Sequence, residues 1–246
     1  MFKCVRKDIL NYISFEVAAR SDNQRCEYLI QLFQSLSKRD VILSFNWDTI
    51  AESSLEFLNH PILQNYLEIT KTFNFRVNDF NEENGIFLKL HGSVNWKFCS
   101  NKKCQKRNKT FLNENFLTEK CSCNEKLNTL IIPPTSNKDI IHKDSFFNKM
   151  WKVAAGKVTE ADEIIFIGYS FPVTDYYSDW LFRQVNFARN RNIKITIINP
   201  KAVKKNSVLR KKCENLFKGL RIEVYENLEQ YLATKKFANS IIRSTI

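Results

Sequence analysis

The sequence predicts an α/β fold built on a doubly wound, mostly parallel, Rossmann-like sheet with helices on both faces. Short apolar runs rich in β-branched residues alternate with segments whose apolar residues recur at helical spacing. Several runs are continuously apolar, which is typical of parallel strands covered on both faces. The 246 residues, of which 43% are hydrophobic, suit a single domain over residues 1–246.

The strands and helices follow in order from these patterns. The run VILSFN predicts the first strand, and IFLKLH predicts the second. The six predicted strands are residues 41–46, 86–91, 129–132, 163–169, 193–198 and, more weakly, 220–225. Apolar stripes predict helices over residues 24–37, 176–190 and 201–217. Doubly wound sheets bind ligands beyond the carboxyl ends of their strands, so a site is expected there.

Polar residues stand at these strand ends, where a core does not require them. Asn46 and Asp48 follow the first strand, and His91 ends the second strand before Gly92. The ends of later strands carry Gly168, Tyr169, Ser170 and Asn199. We expect these residues to meet at one crevice.

The same residues also have structural interpretations. Asn and Asp are common helix caps, but Thr49 and Glu52 form a T-x-x-E capping box. If the box caps the helix, Asn46 and Asp48 are left for a function. His91 could be an ordinary structural histidine, and the glycine after it permits a sharp turn or a close backbone approach.

Four of the seven cysteines are clustered in two pairs, in a polar segment with little apolar periodicity. The pairs are Cys99-x4-Cys104 and Cys121-x-Cys123, and 16 residues separate them. Two pairs of thiolates predict a closed, structural zinc site, whose binding energy would replace a core in an inserted zinc-binding module over residues 93–130. The alternative is four unrelated thiols in a reducing compartment.

The charge balance is basic, with 38 Lys and Arg against 26 Asp and Glu, a formal net charge of +12. Such a surface could attract nucleic acid or another polyanion, or it could reflect lysines spread over solvated faces. The expected contact for a polyanion is the cysteine segment, which carries Lys97, Lys102, Lys103, Lys106, Arg107 and Lys109. No apolar run nears the roughly 20 residues that span a bilayer, and the N-terminus lacks a signal peptide pattern, so no membrane contact and a cytoplasmic location are expected.

The ordered set of motifs resembles the sirtuin-like family over about residues 24–225. FNWDTIAESSL, LHGSVNW and IGYSFPVTD are similar to its bacterial branch, many of whose members consume NAD in antiphage defence. The resemblance implies that Asn46 orients the nicotinamide ribose and the nucleophile, that Asp48 binds the carboxamide, and that His91 is a general base. It further implies dinucleotide contacts by Gly168, Tyr169, Ser170 and Asn199.

One departure from the family is the missing glycine-rich phosphate loop. The family opens with a strand, such a loop and a helix, whereas no two of the five glycines here are closer than seven residues. The sequence therefore looks like the family without its first β-α unit. A partner chain could supply that strand, the chain could be a degenerate paralogue, or a divergent loop could bind the phosphates.

The leading functional hypothesis is an NAD hydrolase that yields ADP-ribose and nicotinamide. An NAD-dependent protein deacylase is the first alternative. The second is a catalytically inactive binding module that holds nucleic acid through its basic segment, or a partner chain through an open sheet edge.

Overall fold

The computed structural model describes Val17, Arg20 and residues 24–72, 85–101, 103–104, 110–112, 120–133, 145–187 and 192–243. The chain divides into two compact units, the first Met1–Pro133 with Lys138–Met150 and the second Pro134–Asn137 with Trp151–Ile246. Residues 1–16, 18–19 and 21–23 lie outside the described residues, so the expectation that the first β-α unit is missing is not tested. Four of the basic residues of the cysteine segment also lie outside them, namely Lys102, Lys106, Arg107 and Lys109.

The first unit contains a parallel pair of strands and an antiparallel sheet of three. In chain order its elements are α1 (Glu27–Gln34), β1 (Val41–Ser44), α2 (Ile50–Phe57), α3 (Pro61–Thr72), β2 (Ile86–Lys89), β3 (Gly92–Phe98), β4 (Thr110–Leu112), β5 (Asn128–Ile131) and the start of α4 (Ser145–Glu160). Strands β1 and β2 pair in parallel, and β3 pairs antiparallel with both β4 and β5.

An aromatic core holds β2 and β3 in this unit. Trp96 of β3 is fully buried, and its ring lies edge-on to Phe146 with centroids 5.5 Å apart. Tyr66 of α3 packs on Phe87 of β2 at 4.7 Å. Aromatic side chains bury large areas, so this cluster contributes much of the core that packs α3 and the start of α4 against β2 and β3.

The second unit is a three-stranded parallel sheet with its helices. After the remainder of α4 come β6 (Glu163–Ile167), α5 (Tyr176–Arg183), β7 (Lys194–Ile198), α6 (Val208–Leu216), β8 (Arg221–Tyr225) and α7 (Leu228–Arg243). The strand order is β6-β7-β8, and both neighbouring pairs are parallel. Short 3-10 helices follow α5 at Gln184–Phe187 and β7 at Pro200–Ala202.

The predicted fold class is confirmed, with differences at the ends of elements. The six predicted strands correspond to β1, β2, β5, β6, β7 and β8, each starting or ending within two residues of the prediction. Strand β3 is not among the predicted strands, because GSVNWKF lacks a β-branched apolar run. Helix α6 begins at Val208 instead of residue 201, because the Ser207 hydroxyl caps it by accepting the Arg210 N–H at 3.1 Å.

No helix within the described part of the chain is both long and apolar enough to cross a membrane.

Candidate functional site

The loop after β1 carries the first two predicted site residues. Asn46 is exposed, and its backbone N–H donates to the Ser44 hydroxyl at 3.2 Å. Asp48 is half-buried, and its Oδ1 accepts the Ile50 N–H at 3.1 Å at the start of α2. This bond is an Asx turn that satisfies one of the otherwise unpaired N–H groups of the helix. Asp48 therefore has a structural bond of its own, and Asn46 presents its side chain to solvent.

The capping box predicted from Thr49 and Glu52 is not formed. Thr49 stands at the helix start without a side-chain capping hydrogen bond. The Glu52 carboxylate instead accepts hydrogen bonds from Lys89 at 2.8 Å and from the Tyr66 hydroxyl at 3.2 Å. The prediction is wrong because it assumes a solvated first turn, whereas Glu52 is buried beside a buried cation. Asp48 does the capping in place of this box.

The segment from β2 to β3 anchors this loop through its backbone. The Leu90 N–H donates to the Ser44 carbonyl at 2.9 Å, and the Val94 N–H donates to the Trp47 carbonyl at 3.0 Å. The Ser93 hydroxyl donates to the same Trp47 carbonyl at 3.3 Å. Hydrogen bonds to the Ser44 and Trp47 carbonyls thus hold the loop in place on both sides of Asn46.

His91 lies beside the loop and is almost completely buried. Its ring meets the Phe45 ring edge-on, with centroids 5.3 Å apart, and its carbonyl accepts the Ile132 N–H at 2.8 Å. The following Gly92 has φ +77°, and a Cβ there would lie 2.2 Å from the Leu130 carbonyl oxygen. The expected close backbone approach after His91 is therefore present, between β3 and β5.

The first unit thus places three of the predicted residues just beyond the carboxyl ends of the paired strands β1 and β2. An amide, a carboxylate and an imidazole, from Asn46, Asp48 and His91, lie on two adjacent segments. An amide and a carboxylate can orient hydroxyl and amide groups of a ligand, and a neutral imidazole has one nitrogen that can accept a proton.

In the second unit, Asn199 joins the loops that follow β6 and β7. Its Nδ2 donates to the Tyr169 carbonyl at 3.2 Å, and its Oδ1 accepts the Lys201 N–H at 2.9 Å. Gly168 has φ +67°, and its N–H donates to the Ile198 carbonyl at 2.9 Å. A Cβ at Gly168 would meet only open space, so the left-handed backbone is what favours glycine there.

The rest of this loop is held by Tyr169 and leaves Ser170 exposed. The Tyr169 hydroxyl donates to the Asp175 carboxylate at 3.0 Å and lies 2.5 Å from the Ser178 hydroxyl. Burial, and then the Asp175 carboxylate, raise the pKa of Tyr169 far above its ordinary value. Phe171 adopts φ +49° with its ring buried. Tyr169 and Asn199 therefore shape the loop, and Ser170 with the Gly168 backbone faces solvent.

The four clustered cysteines come together in the first unit. Their sulfur atoms all lie within 4.8 Å of one another, with Cys99 3.7 Å from Cys123 and Cys104 3.8 Å from Cys121. A backbone hydrogen bond from Cys123 lowers the pKa of Cys121 to about 6, whereas burial raises the pKa of Cys99 to about 12. The cluster could hold a metal ion, as predicted.

Sequence reasoning missed one residue at this site, the lysine of IFLKLH. Lys89 is fully buried and forms an ion pair with Glu52. A lysine inside a continuous apolar strand is a signal, since a buried cation needs a buried anion nearby. The available partner was Glu52, which lies in the first turn of α2, the helix that follows the neighbouring strand β1.

No protein-family model matches this sequence, and no curated protein matches it either. Solved structures do. A Sir2 homologue, in a histidine-to-asparagine variant bound to ADP-ribose, matches with a TM-score of 0.50 at 16% identity, over 88% of this chain and 74% of its own. The fold is that of Sir2 homologues.

Two further Sir2 homologue structures match at the same 16% identity. A serine-to-alanine variant in complex with ADP-ribose has a TM-score of 0.49 over 88% of this chain and 74% of its own. A complex with NAD has a TM-score of 0.47 over 90% of this chain and 69% of its own.

Proposed function

We propose that this protein is a sirtuin-like NAD-binding protein that cleaves the bond between nicotinamide and ribose. The observation that carries the proposal is the grouping of Asn46, Asp48 and His91 beyond the carboxyl ends of β1 and β2, where α/β folds bind ligands. The Sir2 homologue with the matching fold was solved with ADP-ribose, which is what NAD becomes when nicotinamide is replaced by water.

In this proposal each side chain of the first unit has a distinct task. Asn46, whose amide is exposed, orients a ribose hydroxyl and the incoming nucleophile. Asp48 keeps one carboxylate oxygen on the Ile50 N–H and offers the other to the nicotinamide carboxamide. His91 accepts the proton of the attacking water or of a ribose hydroxyl. Positive charge grows on the ribose as the bond breaks, and polar groups fixed in advance stabilise it without reorganising.

For the second unit, taken by itself, the motif resemblance implies dinucleotide contacts by Gly168, Tyr169, Ser170 and Asn199. Ser170 and the backbone at Gly168 are solvent-exposed, which is compatible with direct contact. Tyr169 and Asn199 already use their polar atoms to hold the loop, so their contribution is to fix its shape. The proposal therefore assigns direct contacts to Gly168 and Ser170 only, whereas the resemblance implies contacts by all four residues.

We assign the cysteine cluster to structural zinc. In a tetrahedral site with Zn–S bonds of about 2.3 Å, neighbouring sulfurs lie about 3.8 Å apart. The separations of 3.7 Å between Cys99 and Cys123 and of 3.8 Å between Cys104 and Cys121 fit that geometry. All four positions are filled by Cys99, Cys104, Cys121 and Cys123, so the ion would stabilise the module and leave no coordination position for a substrate.

The experiment that tests the reaction follows NAD with and without an acetyl-lysine peptide. We expect nicotinamide and free ADP-ribose in equal amounts, at the same rate whether or not peptide is present. Nicotinamide release that requires the peptide would replace the hydrolase proposal by a deacylase. No nicotinamide in either arm would contradict NAD cleavage altogether.

A role in cytoplasmic antiphage defence extends the hydrolase proposal and rests on the motif resemblance.

A further inference from the structure

The feature that the proposed chemistry does not use is the buried ammonium of Lys89. Its Nζ donates to Glu52 Oε1 at 2.8 Å and also to the backbone carbonyl of Asp48. The lysine side chain is 0% exposed. The Lys89 ammonium therefore lies next to the loop that carries Asn46. It is hydrogen-bonded to that loop through the main-chain carbonyl of Asp48.

A polar chain holds this ammonium in place. Glu52 Oε1 accepts hydrogen bonds from both Lys89 and the Tyr66 hydroxyl, and Tyr66 accepts the Trp96 indole N–H at 2.9 Å. Burial, and then the Glu52 carboxylate, raise the pKa of Tyr66 well above its ordinary value. The other oxygen, Glu52 Oε2, is buried without a hydrogen-bond partner among the described residues. The carboxylate is thus oriented by its two donors on one oxygen.

Stability alone does not account for this arrangement. Buried ion pairs are often replaceable by apolar residues of similar volume with little loss of stability, because removing two charges from water is costly. A methionine at position 89 and a glutamine at position 52 would fill nearly the same space. Such a replacement would lose the Lys89–Glu52 pair and, with it, the hydrogen bond from Lys89 to the Asp48 carbonyl.

We propose that Lys89 is a positioning residue that fixes the Asp48 carbonyl and, through it, the orientation of Asn46 and of the Asp48 carboxylate. This inference rests on the proposed function for its catalytic consequence. The Asp48 carboxylate caps α2 through the Ile50 N–H, so a shift of the Asp48 backbone would disturb that bond as well. Misplacing catalytic groups by about 1 Å can lower rates about 100-fold.

The test uses the double variant Lys89→Met with Glu52→Gln, which removes both charges together and leaves neither ion buried alone. The first measurement is hydrogen exchange of the 44–53 segment without NAD, in which the Ile50 amide reports the cap. The second is kcat and KM for nicotinamide release. Lys194→Met is the matched control, because Lys194 is a strand lysine paired with Glu163 and Glu223 in the other unit.

We expect the double variant to exchange the 44–53 amides at least about tenfold faster and to lose at least about tenfold in kcat, with unfolding close to that of the wild type. Lys194→Met should leave both measurements unchanged. Single Lys89→Met should unfold at lower urea, because it leaves Glu52 buried without its cation.

Two results would overturn the inference. One is a hydrogen-exchange rate of the 44–53 amides in the double variant that equals the wild-type rate. The other is faster exchange with kcat unchanged, which would make Lys89 a structural residue only. If the wild-type chain releases no nicotinamide, the proposed function fails, and the exchange measurement alone decides whether Lys89 fixes the loop.

Discussion

At the scale of single residues, Asp48 shows how one carboxylate can serve both the fold and a ligand. Its Oδ1 accepts the Ile50 N–H at 3.1 Å and so closes the first turn of α2. A carboxylate has about four acceptor positions. The cap therefore leaves capacity for the nicotinamide carboxamide that the proposed function assigns to it.

Replacing Asp48 should separate these two uses. Asp48→Ala removes the cap, and we expect it to lower the free energy of unfolding by about 1 kcal/mol. Asp48→Asn keeps an acceptor oxygen and should cost clearly less. Urea unfolding of both variants measures the difference, and NAD binding by Asp48→Asn measures the functional use. Equal unfolding midpoints for wild type and Asp48→Ala would show that the cap contributes nothing.

The acid dependence of stability should depend on Glu223. A hydrogen bond from Lys194 holds the pKa of Glu223 below its ordinary value of 4.5. A carboxyl with a lowered folded-state pKa stabilises the protein above the ordinary value, and this stabilisation is lost as the pH falls through the folded pKa. Glu223→Gln should therefore flatten the fall in unfolding free energy as the pH drops below 4.5.

The control for that measurement is Glu226→Gln, which alters an exposed carboxyl just beyond β8. It should leave the acid dependence as in the wild type. An identical slope for Glu223→Gln and wild type would mean that the Lys194 contact does not stabilise the folded state.

Residue positions at strand ends were predictable from sequence, but their partners were not. Asn46 and His91 stand where a run of apolar residues stops, and a local pattern shows that. The predicted capping box of Thr49 and Glu52 does not form, and the cause is not local. Lys89 lies 37 residues beyond Glu52 and donates a hydrogen bond to its carboxylate. Local spacing cannot reveal a competition between a cap and a distant buried cation.

At the scale of elements, the turn from β2 into β3 depends on Gly92. We expect Gly92→Ala to destabilise the protein by at least about 2 kcal/mol, because it combines φ +77° with a Cβ 2.2 Å from the Leu130 carbonyl oxygen. Chemical denaturation measures the loss. Wild-type stability of Gly92→Ala would show that β3 and β5 do not approach so closely.

Gly156→Ala is the matched control in helix α4. No atom lies within 4 Å of a Cβ built there, and an alanine is favoured over glycine inside a helix by about 1 kcal/mol. The same substitution should therefore stabilise the chain at one glycine and destabilise it at the other.

The cysteine module should depend on its metal. We expect about one zinc per chain, lost in Cys104→Ser and in Cys121→Ser, because a closed site needs all four thiolates. Chelation should raise hydrogen exchange in β3 and β5 and leave the β6-β7-β8 sheet unchanged. Metal analysis and exchange measure both effects, with Cys26→Ser as the control outside the cluster. A folded, metal-free wild type would contradict the zinc assignment.

Elements were predictable where hydrophobicity marks them. The parallel strands are short apolar runs and were predicted to within two residues at either end. Strand β3 was not, because its burial comes from Trp96 and from pairing with β4 and β5 instead of from a β-branched run. The cysteine pairs predicted the metal-binding cluster, but they did not predict strand β3, which ends next to Cys99.

At the scale of the whole molecule, the fold by itself does not establish an activity. The Sir2 homologue with the matching fold is only 16% identical to this chain, and a fold can host many chemistries. The proposed function therefore rests on local geometry in each unit. A partner chain that supplies a glycine-rich phosphate loop, and a single domain with residues 93–130 as an insertion, stay predictions.

The central claim is that Asn46 and His91 carry out cleavage of NAD. Nicotinamide release by the wild type, Asn46→Ala and His91→Ala tests it most directly, with Asn186→Ala and His60→Asn as controls on the same residue types. We expect steady release by the wild type and both controls, and at least an about 100-fold lower kcat in Asn46→Ala and His91→Ala with folding retained. Undiminished release by the two site variants, or no release by the wild type, would contradict the claim.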